Sequence, residues 1–172
     1  MKSLNLKITD FKIEYSKNEI ISVWIDPKFQ KELGISKNNK KLKNKNIILC
    51  SCNFKFEENN FKIHFSPDNE ANIHKYIKNI NSKLAEFLRN KENYIDKISN
   101  EILEIKNKSW LSFGQSKLQK EDIFPLINKI KEISFNYNNS YSVFLYDNQL
   151  FLGHDIEVRI YKEKIEEICL TG

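Results

Sequence analysis

Gly153-His154 sits among three carboxylates, Asp147, Asp155 and Glu157. Imidazole titrates near neutral pH, so this grouping could supply a general base or a metal ligand. The same residues support a structural reading. His154 shares strand parity with Ile156, Val158 and Ile160, which would turn its ring to the core and toward a backbone partner. Gly153 would then permit a bulge or a close backbone approach. His154 is the candidate for catalysis.

Two other groups could do chemistry. Cys50-Ser51-Cys52 puts two thiols at i and i+2, one face of a strand, which predicts sheet core. It is CxC rather than CxxC, and a zinc site would need two more ligands from His64, His74, His154 and Cys169. No metal is predicted. The third thiol, Cys169, makes an odd count, which argues for reduced cysteines. Residues 36–46 hold five lysines and no acid. Lys40, Lys41, Lys43 and Lys45 could grip phosphates or an acidic protein face, or form a solvated loop. The chain has only four glycines. No P-loop, G-x-G-x-x-G, H-E-x-x-H or G-x-S-x-G is present, and no cofactor is predicted.

Composition narrows the class. The 172 residues suit one domain. Hydrophobic residues make up 40% and aromatics 12%, enough to fold. No apolar run approaches the ~20 residues of a membrane span. The opening MKSLNLKITD has no h-region and no cleavage site, which predicts a cytoplasmic protein. The net charge is +5. That excess is almost all lysine, with Arg89 and Arg159 the only arginines. Lys, Asn and Ile dominate the chain and share A/T-rich codons, so the bias needs no ligand. Nucleic-acid readers favour the arginine fork. A nucleic-acid partner is therefore the second choice and an acidic protein partner the first.

The positioning elements read as strands, then helices, then strands. Residues 4–8, 11–15 and 20–25 alternate as strands, and residues 27–33 suggest a helical turn before Gly34. Residues 47–56 and 61–65 form a hairpin around Glu58-Asn59-Asn60. Ser66 and Pro67 predict a helix start. A stripe at 73, 77, 80, 84 and 87/88 predicts one helix; Tyr94, Ile95, Ile98, Ile102 and Ile105 predict a second, ending near Trp110. A short helix covers 121–131, with Ile123, Leu126, Ile127 and Ile130 inward. Glu86, Glu92, Asp96, Glu101 and Glu104 read as a solvated face. Strands follow at 133–137, 141–146, 149–152, 156–160 and 165–170. Tyr137, Tyr141, Phe144, Tyr146 and Phe151 could present aromatics to a protein partner or a second copy. Trp24 and Trp110 read as core.

Residues 95–172 resemble a known pattern. Asn107-Lys108-Ser109-Trp110 closes a helix. Leu118-Gln119-Lys120-Glu121-Asp122-Ile123 opens a short one. The hairpin follows, then Leu150-Phe151-Leu152-Gly153-His154-Asp155-Ile156-Glu157-Val158, and Gly172. This order resembles the bacterial DUF2262-type proteins, with their Asn-x-x-Trp helix end, acidic turn and Leu-Phe-Trp-Gly-His-x-Ile-x-Val. The first 94 residues match only in layout. Asn148-Gln149 replaces the usual Gly-Asp turn and Leu152 the usual Trp. The resemblance implies an immunity-type protein of the kind found beside bacterial toxins, with no established activity.

The sequence thus predicts a single α+β domain, residues 1–172, with N- and C-terminal antiparallel sheets packed on two longer helices and one short one. Its expected role is non-enzymatic protein binding: inhibition of a toxin or nuclease by direct contact. The contact candidates are Lys40, Lys41, Lys43, Lys45, Tyr146, Asp147 and Phe151. The alternatives are a nucleic-acid-binding module built on residues 37–45 and an enzyme centred on His154.

Overall fold

The computed structural model describes residues 4–17, 46–136 and 140–172. Its strands are β1 (Lys12–Lys17), β2 (Asn46–Phe56), β3 (Asn59–Phe65), β4 (Ile130–Phe135), β5 (Ser140–Leu145), β6 (Asp155–Tyr161) and β7 (Lys164–Thr171). Between β3 and β4 lie α1 (Ile73–Arg89), α2 (Lys91–Ser109) and α3 (Lys120–Ile127). The class is α+β, as the segment order predicts.

The strands form one seven-stranded sheet in sequence order. This corrects the expectation of separate N- and C-terminal sheets. The two halves join because β3 and β4 pair in parallel, Ile63 beside Ile133 and Phe65 beside Phe135. A parallel pair needs a long crossover, which the three helices supply. Every other neighbouring pair is antiparallel.

Period-2 alternation sends one side of the strands to the helices. Cys50, Phe65, Phe135, Tyr141 and Ile160 form one buried cross-strand row; Cys52, Ile63, Ile133, Val143 and Val158 form the next. Each buried Ile, Val or Phe contributes roughly 1.5–3 kcal/mol. Burial raises both β2 thiols, and Cys52, with Asp10 adding to burial, is pushed up to about 11. They behave as core rather than as nucleophiles.

The helices cover this side through their stripes. Ile73, Ile77, Ile80, Leu84, Phe87 and Leu88 are buried on α1. Tyr94, Ile95, Ile98 and Ile102 are buried on α2. Asn90 breaks the two helices; its N–H bonds the Glu86 and Phe87 carbonyls at 3.1 Å. Glu86 is not merely solvated. Its carboxylate receives the Tyr94 hydroxyl at 3.1 Å and the Tyr141 hydroxyl at 3.5 Å, linking both helices to β5.

Several local expectations are corrected. Residues 4–8 form no strand: Asn81 binds Leu6 at both its N–H (2.8 Å) and its C=O (2.9 Å), taking the groups a ladder would use. Ser66 donates to the Ile48 carbonyl instead of capping a helix, and Asn69 caps the short 3-10 turn Glu70–Asn72 that leads into α1. α3 stops at Ile127, two residues after Pro125, whose missing N–H weakens the ladder. Ile130 therefore starts β4. Residues 149–152 are turn, not strand. The expectations for residues 20–25 and 27–33, Trp24 and Tyr137 lie outside the described residues.

Candidate functional site

The run predicted to carry chemistry, residues 146–154, is a turn leading from β5 to β6. The Asp147 carboxylate organises it. One oxygen accepts the N–H groups of Gly153 (2.9 Å) and Phe151 (3.1 Å); the other accepts that of Gln149 at 3.2 Å. Those of Gln149 and Phe151 are alternate N–H groups that a strand over 149–152 would have used. The turn needs left-handed backbone at Asn148 (φ 45°), Gln149 (φ 70°), Leu152 (φ 57°) and Gly153 (φ 94°). A non-glycine residue there costs roughly 1–2 kcal/mol, so the turn persists because Asp147 over-determines it. Nothing lies within 4 Å of a Cβ built on Gly153. Its glycine serves the dihedral, not the close approach or bulge expected from sequence.

Burial alone would raise the Asp147 pKa. The N–H groups of Gly153, Gln149 and Phe151 and the nearby His154 ring outweigh it, so the carboxyl titrates below its ordinary value. A depressed folded pKa gives stability that is present above the unfolded pKa and lost as pH falls through the folded one. Asp147→Asn is therefore expected to cost about 1–2 kcal/mol at neutral pH. The gap to wild type should begin to narrow below about pH 4, where the unfolded carboxyl protonates, and close at lower pH as the folded carboxyl takes up its proton. Urea denaturation at pH 7 and in acid measures it; a pH-independent gap contradicts the assignment.

His154 precedes β6 and is half-buried. Its backbone N–H donates to the Phe151 carbonyl at 3.2 Å. Its ring stands edge-on to Trp110, 5.6 Å between centroids, and Trp110 stands edge-on to Phe151 at 5.5 Å. The ring thus flanks a tryptophan at the sheet end rather than entering the sheet core. The other neighbouring acids are engaged elsewhere: Asp155 pairs with Lys131 at 2.5 Å, and Glu157 accepts from Ser142 at 2.8 Å with Arg159 at 3.7 Å. Beneath the turn, the Lys106 ammonium donates to the carbonyls of Leu150 (2.6 Å) and Trp110 (2.8 Å).

The contact candidates separate. Phe151 is fully buried and is corrected from contact residue to core. Tyr141 is likewise core. Asp147 spends its oxygens on the turn. Tyr146 is 44% exposed and remains available. Lys40, Lys41, Lys43 and Lys45 lie outside the described residues.

Tyr146 leads to a feature the sequence reading missed. Two open hollows of about 860 and 600 Å³ meet at Glu57, Lys91 and Asn128. Together they form a groove walled by the β2–β3 turn, the α1–α2 junction and α3. Phe124 stands in one half and Tyr146 in the other, 37% and 44% exposed. The walls mix Arg89, Lys91 and Lys129 with Glu57, Glu58 and Glu92, among several asparagines. The Asn59 side-chain N–H donors are enclosed without an acceptor among the described residues. One signal was available: Phe124 is an aromatic off the inward stripe of α3.

The model of DUF2262, described as an uncharacterized protein conserved in bacteria, matches residues 39–168. The chain belongs to this family. The match begins well before residue 95, so it takes in the β2–β3 hairpin and α1 as well as the C-terminal run. No curated protein and no solved structure matches the chain.

Proposed function

We propose that this DUF2262 protein is a non-enzymatic protein-binding module of immunity or inhibitor type, which neutralises a toxin or nuclease by covering it. The groove between Phe124 and Tyr146 carries the reading. Exposed aromatics beside a concave, mixed-charge wall suit a protein contact: the rings supply area and the polar wall supplies register. An inhibitor that acts by occlusion needs such a surface and no reactive group. The engagement of Asp147, Asp155 and Glu157 with other partners supports the same reading over a His154-centred enzyme.

The test is a tagged pull-down from lysate of the source bacterium, using wild type and a Phe124→Ser/Tyr146→Ser double variant. The expected result is one protein retained by wild type through a high-salt wash and lost from the variant. Truncating an anchor of this kind costs about 2 kcal/mol, roughly thirtyfold in affinity. Nucleic acid that elutes with salt, without a protein partner, overturns the proposal and favours the lysine-rich segment as a phosphate contact.

A further inference from the structure

The sheet side away from the helices carries a polar row across all seven strands: Lys12, Ser51, His64, Ser134, Ser142, Arg159 and Glu167. Among the described residues no helix packs on it. Much of this face is internally paired. Lys12 meets Glu14 at 2.7 Å, Arg159 meets Glu167 at 2.5 Å, and Ser142 donates to Glu157 at 2.8 Å. The stretch Ser51–His64–Ser134 differs. These three neighbours on β2, β3 and β4 form no side-chain hydrogen bond among the described residues, and Lys62 beside them forms no ion pair there.

The same four residues line one depression of about 280 Å³. It lies where β3 and β4, the parallel pair, both end, at Phe65-Ser66 and Phe135-Asn136. Ser51, His64 and Ser134 are half-buried, and polar groups that converge on a concavity without a protein partner are placed to serve a ligand in exchange for water. The donors are one ammonium, two hydroxyls and an imidazole N–H. Four donor groups around one ammonium suit a small oxyanion, and a phosphate, with more oxygens and more charge than a carboxylate, uses such a set most fully. Two acids lie close by: Glu14 in the wall, ion-paired with Lys12 at 2.7 Å, and Glu132, cross-strand from Lys62. The volume admits a phosphate with a few carbons.

We propose that this depression binds the phosphate group of a small metabolite, or free phosphate, through Lys62, Ser51, His64 and Ser134. The site stands apart from the groove at the other end of the sheet, so either can fail alone. Burial lowers the His64 pKa; Glu132 opposes this and Lys62 adds to it. At neutral pH the ring is uncharged and offers one N–H.

Ring resonances of His64, followed by NMR during titration with inorganic phosphate and then glycerol phosphate, test the proposal. The expected result is a saturable shift at His64, with affinity reduced about fivefold in Lys62→Gln and in Ser134→Ala, one hydrogen bond's worth. Lys131→Gln, outside the depression, should leave it unchanged. Tighter binding of glycerol phosphate identifies a metabolite; equal binding identifies free phosphate. No saturable shift in wild type, or equal affinities in wild type and Lys62→Gln with unchanged melting, overturns the site.

Discussion

Phe151→Ala is expected to destabilise the protein by about 3–5 kcal/mol, the range for emptying a fully buried aromatic site. Phe151 is 0% exposed. It sits under the strained turn, against the edge of Trp110 at 5.5 Å and 5.9 Å from the Lys106 ammonium. Its loss opens a cavity that the turn cannot readily collapse into, because Asp147 holds the backbone on both sides. The residue looks like a contact in sequence, as one of the aromatic series Tyr137, Tyr141, Phe144, Tyr146 and Phe151 on the C-terminal strands. A contact residue would give a different result: unchanged urea midpoint and weakened partner binding. Equilibrium urea denaturation of wild type and variant decides between them.

Lys106→Met is expected to cost about 2 kcal/mol, the next largest effect. Methionine keeps the apolar stem and removes the ammonium. The carbonyls of Leu150 and Trp110 then lose a charged donor, and hydrogen bonds to charged groups contribute about 1.5–3 kcal/mol each. Part of that is offset, because a buried charge no longer has to be desolvated. Lys106 is 8% exposed, so solvent does not replace the lost donor. The variant should also loosen the turn before the rest of the fold. Amide exchange at Phe151, Gly153 and His154 should quicken more than at Val143 or Val158, in mid-sheet. Uniform acceleration would mean that Lys106 contributes only to global stability.

The helices were the most legible part of the fold. Positions 73, 77, 80, 84, 87 and 88 repeat at helical period and every one is buried. β5 is buried on both faces along most of its length, with Ser140 and Ser142 on the second face beside a half-buried Phe144. What stayed hidden was non-local. Nothing near β3 or β4 announces that they pair in parallel across more than sixty residues, so one sheet reads as two. Polar side chains that take backbone groups misled the strand assignments. Asn81 claims the N–H and C=O of Leu6, and Asp147 claims the N–H groups of Gln149, Phe151 and Gly153 in and beside the short apolar run that reads as a strand. Glu86 looked solvated because its two tyrosine partners lie on different elements. For the site, Tyr146 was legible as an exposed aromatic after a strand. The groove was not, since its walls come from four separate segments.

The central claim is inhibition by contact, and a stoichiometry measures it most directly. The activity of the partner retained in the pull-down would be titrated with the purified protein. The account predicts a linear loss of activity that ends at a fixed molar ratio, is unchanged in His154→Ala and is displaced to much higher concentration in Phe124→Ser/Tyr146→Ser. Complete loss at a small fraction of that ratio, growing with time and abolished in a folded His154→Ala, would mean that the protein turns its partner over as an enzyme, and would contradict it.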